Sequence, residues 1–135
     1  MRYASPRPFT FVALAFVATT YGCNDIQTTE FARAESPDHL WIVKAIDERH
    51  FGPGAAGDLL RVTLQRQGGN GAPGDILVLS PPDDQPYQGH PSSYIQIKWL
   101  NPSHLELSYR AATIDLQVVK YAGLQISTVE LPRRA

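Results

Sequence analysis

Residues Tyr94 to Tyr109 limit most tightly what this chain can fold into. The run Tyr-Ile-Gln-Ile-Lys-Trp-Leu is followed by Asn-Pro-Ser-His and then by Leu-Glu-Leu-Ser-Tyr. Ile95, Ile97 and Trp99 share one parity, with Gln96 and Lys98 between them; Leu105, Leu107 and Tyr109 repeat it, with Glu106 and Ser108 between. A period of two sends successive side chains to opposite faces, so each arm reads as a half-buried strand. Pro102 presets a turn φ and Asn101 bonds its own backbone two residues on, so the arms join as a β-hairpin.

The same alternation recurs on both sides of this hairpin. His39 to Asp47 is a nearly continuous apolar strand, as expected for one covered on both faces. Leu60, Val62 and Leu64 alternate with Arg61, Thr63 and Gln65, and Ile76 to Leu79 is a short apolar strand. Ile114, Leu116 and Val118, then Leu124, Ile126 and Thr128 up to Leu131, read as a second hairpin turned at Tyr121-Ala122-Gly123. Eleven prolines and ten glycines in 135 residues argue for many turns and against long helices. The expected fold is all-β, a small antiparallel sandwich or open barrel of about seven strands.

The N-terminus differs in kind. Arg2 and Arg7 precede Phe9 to Thr20, an uncharged and mostly apolar run of twelve, and Tyr21, Gly22 and Cys23 follow. A positive segment before an apolar run of this length is the pattern of a secretory signal. The run is shorter than the roughly 20 residues that a bilayer span needs. The expected organisation is a signal peptide over 1–22, a polar tether over 23–38 and an antiparallel β domain over 39–131. A short helix over Ile26 to Arg33 is compatible with the tether. Cys23 is the single cysteine, so no internal disulfide forms. Tyr21-Gly22-Cys23 after such a segment resembles the cleavage box of bacterial lipoproteins. That resemblance implies that Cys23 is lipidated, becomes the new N-terminus, and anchors an exported domain facing the periplasm or cell surface.

Charge excludes one class of partner. Removing residues 1–22 takes away Arg2 and Arg7 and leaves 10 basic against 13 acidic groups, a net charge of −3. With no basic run of five or more residues, the chain is not read as a nucleic-acid binder.

Candidate chemistry is sparse. Gly52-Pro53-Gly54-Ala55-Ala56-Gly57 has the spacing of a dinucleotide loop, but the apolar residues after it alternate as in a strand, so it reads as a Gly-rich connection. Gly69-Asn70-Gly71-Ala72-Pro73-Gly74 has the same spacing, but a strand follows it and Pro73 sits within it, so it reads as a flexible turn and no cofactor is assigned. His39, His50, His90 and His104 show no metal-ligand spacing. Asp47-Glu48-Arg49-His50 groups acid, base and cation, yet without burial and a facing partner it reads as part of a solvated loop over Glu48–Gly57, and no catalytic residue is assigned. Ser80 to Ser93 carries four prolines and no apolar pattern. Loops of that length often bind, and Tyr87, His90 and Tyr94 are the candidate binding residues within and beside it.

Ser36-Pro37-Asp38, Ile97-Lys98-Trp99-Leu100 and Leu105-Glu106-Leu107-Ser108-Tyr109 resemble the motifs of a group of small bacterial envelope proteins. In that group a segment like Ser-Pro-Asp-Gly-Lys opens the domain, and His39 here stands where the tight-turn glycine would fall. The resemblance covers roughly residues 36–130 and supplies no functional residue. The expected function is a non-enzymatic envelope lipoprotein that binds a protein or a cell-wall component. Alternatives are a small periplasmic hydrolase or metal-dependent enzyme, and an inhibitor or immunity-type protein.

Overall fold

The computed structural model describes residues 25–52, 57–81, 87, 89–110 and 112–133. Residues 1–22, expected as a signal peptide, lie outside them, as do Cys23 and Pro53 to Ala56 of the Gly-rich connection. Among the described residues nine strands form two sheets. The strands are β1 (Asp25–Glu35), β2 (Trp41–Phe51), β3 (Gly57–Arg66), β4 (Gly74–Ser80), β5 (Ile95–Asn101), β6 (His104–Arg110), β7 (Thr113–Gln117), β8 (Lys120–Tyr121) and β9 (Leu124–Leu131). One sheet has the order β1-β2-β3-β4-β7 and the other β5-β6-β9-β8, packed as a sandwich.

Parity explains the core. Val43, Ala45, Leu60, Val62, Leu64, Leu77 and Leu79 from the first sheet meet Ile95, Leu105, Leu107, Leu124 and Ile126 from the second. Cross-strand partners on the first sheet's inner face are Val43 with Leu64, Ala45 with Val62, and Val62 with Leu77. The outer face of the same strands carries a chain of ion pairs instead. His50 Nε2 lies 2.7 Å from Glu48 Oε1, Arg61 Nε lies 3.2 Å from Glu48 Oε2, and Arg61 Nη1 reaches Asp75 Oδ2 at 2.5 Å. Burial alone would raise the Glu48 carboxyl, but His50 and Arg61 outweigh it and hold it below the usual carboxylate range.

The central hairpin forms as its alternation dictates, with Ile97 opposite Leu107 and Trp99 opposite Leu105. Asn101 Oδ1 accepts from the Ser103 amide at 2.9 Å, the local bond its turn requires. Three expectations need correction. Residues 25–35 are not a polar tether but β1, an edge strand paired antiparallel to β2 along its whole length. Its side chains are mostly exposed, so backbone hydrogen bonds hold it, and no apolar alternation marks it in the sequence. A bulge between Glu30 and Ala32 and the Glu30–Arg33 pair at 2.7 Å protect the free edge from further pairing.

The first strand of the expected domain also runs to Phe51, so Glu48–Phe51 is strand and not loop. The second hairpin is divided. β7 pairs with β4 in the first sheet, and the chain recrosses through Val118, whose amide donates to Ile76 O, and Val119, whose carbonyl accepts from Ile126 N, both at 2.9 Å. The remaining turn joins β8 to β9, with Ala122 at φ 48° and Gly123 at φ 84°, the two positive φ values a tight two-residue hairpin loop demands. β9 then runs parallel to β6.

The turn between β1 and β2 is built by Ser36-Pro37-Asp38. Buried Ser36 donates to Asp38 Oδ1 at 2.6 Å and accepts from the Trp41 amide at 3.0 Å, while the His39 amide donates to Ser36 O at 2.9 Å. The Ser36 bond lowers the Asp38 carboxyl below its ordinary value. His39 sits at φ 60°, the left-handed conformation that the glycine of the resembling segment would adopt freely. His39→Gly should therefore raise the urea midpoint. The gain should stay below about 1 kcal/mol, because glycine's extra freedom in the unfolded chain offsets part of the roughly 1–2 kcal/mol left-handed cost.

Candidate functional site

The strands bring functional side chains together at both ends of the sandwich. At the end where β2 finishes and β3 begins, alternation splits the Asp47-Glu48-Arg49-His50 run between faces. Glu48 and His50 join the outer ion chain, while Asp47 and Arg49 point inward beside Asp58, which is paired across the sheet with Arg49. Asp47 is only 5 % exposed. Arg49 Nε donates to Asp47 Oδ2 at 3.2 Å and lies 3.7 Å from Asp58 Oδ1. Oδ1 of Asp47 and Oδ1 of Asp58 are buried without a hydrogen bond among the described residues. Burial, a hydrogen bond to Asp47 that only the acid form makes, and the Asp47 charge push the Asp58 carboxyl up to about 6, against the opposing pull of Arg49. Two acids and one guanidinium thus share a site that holds a proton close to neutral pH.

The tyrosines flanking the proline-rich loop close over this end. Tyr87 and Tyr94 meet edge to face with ring centroids 4.7 Å apart, and both pack on the core. The Tyr87 hydroxyl is buried without a hydrogen bond among the described residues. Burial first, and then the negative field of Asp58 and Asp115, raises it above the ordinary phenol value. His90 is exposed and caps the 3-10 turn Pro91–Ser93, its Nδ1 accepting from the Ser92 amide at 3.2 Å. Of the three residues singled out in the sequence, the structure brings Tyr87 and Tyr94 together and gives His90 a local capping contact. Asp58 escaped sequence reasoning because its partner Arg49 lies on a strand read as ending at Asp47, and Asp58 itself on one read as starting only at Leu60.

The opposite end carries a cavity of about 220 Å³ lined by Trp41, Leu64, Gln65, Arg66, Gly69, Gly71, Ala72, Tyr121 and Ala122. Trp41 and Tyr121 stand nearly perpendicular, at 81° with centroids 6.1 Å apart, and the Arg66 guanidinium lies 6.0 Å from the Trp41 ring. Gly74 packs closely under the Tyr121 ring. A Cβ at that position would fall 2.8 Å from the Tyr121 hydroxyl and push the phenol out of place. Apolar rings beside the Gln65 amide and the Arg66 guanidinium suit a small ring or side chain that stacks and also accepts hydrogen bonds. Both rings are in the sequence, but their meeting depends on β8 crossing back to the start of β2, which no local pattern shows.

Among the described residues there is no group of three or more His, Cys, Asp or Glu side chains placed to hold a metal ion. No helix among them is long and apolar enough to cross a membrane. Compared with protein-family models, with curated proteins and with solved structures, the chain matches none.

Proposed function

We propose that the protein is an exported lipoprotein, anchored through Cys23 and facing the periplasm or cell surface, that binds an envelope protein or a cell-wall component. The Arg2/Arg7, Phe9–Thr20 and Gly22-Cys23 pattern supports the anchor. The observation that carries the binding role is the cavity between Trp41, Tyr121 and Arg66, where aromatic walls and polar donors converge. A photoreactive amino acid at Ala122, on the exposed rim, should cross-link in intact cells to an envelope protein or a cell-wall fragment. Arg66→Glu should abolish that adduct without moving the unfolding midpoint, because Arg66 is exposed. No adduct, or one that survives Arg66→Glu, would count against the cavity as the binding site.

One observation favours a second reading, a small periplasmic hydrolase. The Asp47–Asp58 pair keeps a proton near neutral pH, as a general acid requires. On this reading the full chain degrades a cell-wall or peptide substrate, and Asp58→Asn abolishes that turnover while leaving cross-linking at Ala122 intact.

A further inference from the structure

We propose that the end of the sandwich formed by the start of β1 and the end of β2 rests on the lipid surface through Ile26 and Phe51. The Trp41–Tyr121 cavity is thereby held at the far end, facing away from the membrane. This inference rests on the reading that Cys23 is lipidated. The first support is the length of chain. Asn24 alone separates Cys23 from Asp25, the first residue of β1. Two Cα–Cα steps of about 3.8 Å place Asp25 within roughly 8 Å of an acylated cysteine. β1 replaces the tether that would otherwise let the domain tumble freely.

The second support is what lies beside Asp25. The strand register pairs Asp25 with Phe51 and Ile26 with His50, so Ile26 and Phe51 lie one register step apart on neighbouring strands and flank this end from opposite faces of the sheet. Both are open to solvent, Ile26 at 57 % and Phe51 at 49 % of their surface. Exposed Phe and Ile beside an acyl anchor suit the apolar part of a bilayer interface. Charge around them is mixed, with Asp25, Arg49, His50 and Asp58 at the same end, so the contact relies on the apolar side chains and not on anionic headgroups.

The third support is strand length. Trp41 and Phe51 are the two ends of β2, eleven residues apart inclusive. At about 3.3 Å per residue the cavity stands roughly 30 Å from the apolar pair. An anchor at one end of β2 therefore projects the cavity outward, where a cell-wall or envelope partner would be met.

The test uses the full chain, purified from membranes and placed in vesicles of phosphatidylethanolamine and phosphatidylglycerol, with or without bromine on the acyl chains. Phe51→Trp should add an emission component that brominated lipid quenches severalfold more than the component added by Leu40→Trp. Leu40 is exposed and lies in the turn at the far end. Equal quenching at the two positions, or none at position 51, overturns the orientation if the intact mass still shows an acyl group on Cys23. That result leaves the lipoprotein reading standing. A mass without the acyl group removes the lipoprotein reading, and the orientation with it.

Discussion

Leu107→Ala should destabilise the domain by about 3–5 kcal/mol, lowering the urea midpoint with the slope of the transition unchanged. Leu107 has no solvent exposure and lies on β6, the strand between β5 and β9. Its register neighbours are Ile97 and Thr128, and its side chain faces the first sheet. Truncation leaves a cavity that two hydrogen-bonded sheets cannot collapse around, so the lost transfer free energy and the cavity term add. For a domain whose whole stability is on the order of 5–15 kcal/mol, this is a large fraction. Leu100→Ala is the matched control. That side chain is on the outer face at the end of β5 and 42 % exposed, so its loss should cost about 0.5 kcal/mol or less. Equal effects at the two positions would contradict the packing of the two sheets through Leu107.

Asp58→Asn should make the protein more stable at pH 8 and flatten its pH dependence. The folded state holds the Asp58 proton up to about 6, whereas the ordinary value is 3.8. Between these values the folded protein binds more protons than the unfolded chain, so the unfolding free energy falls as pH rises. The contribution is fully present below the unfolded value and is lost as pH rises through the folded one. At about 1.4 kcal/mol per unit, and reduced for the solvent that reaches the pair, the loss is on the order of 2 kcal/mol. Asparagine carries no charge and its amide still donates to Asp47, so it keeps the favourable contact at every pH. Urea midpoints at pH 4, 6 and 8 measure this directly. A wild-type protein that gains stability over this range, or an Asp58→Asn variant that loses as much as the wild type does, would contradict the proton-sharing geometry.

The legible parts of this fold are those where apolar residues alternate locally. β5 and β6 follow directly from Ile95, Ile97 and Trp99 and from Leu105, Leu107 and Tyr109, and the Asn101 turn is built as its chemistry demands. The cores of β3 and β9 follow for the same reason, and those of β2 and β4 from their short, nearly continuous apolar runs. β1 was illegible because Asp-Ile-Gln-Thr-Thr-Glu presents polar groups on both faces, and its partner is supplied by β2 through the backbone. The assignment of β7 to the first sheet depends on competition between β4 and β9 for the same strand, a tertiary choice that periodicity does not encode. The sites divide along the same line. Tyr87 and Tyr94 were legible as aromatics flanking a long loop. The acid pair depends on pairing Arg49 on β2 with Asp58 on β3, and the cavity on a β8 strand of two residues. Local pattern identifies strands here, while sites made by distant strands wait for the topology.

The central claim is that an acyl anchor at Cys23 holds a binding domain on the envelope. The most direct test is the intact mass of the protein extracted from the membrane fraction, measured beside a Cys23→Ser variant. The account predicts a chain that begins at Cys23 and carries an acyl adduct, with both the cleavage and the adduct absent in the variant. An unmodified chain that retains Met1 would contradict it.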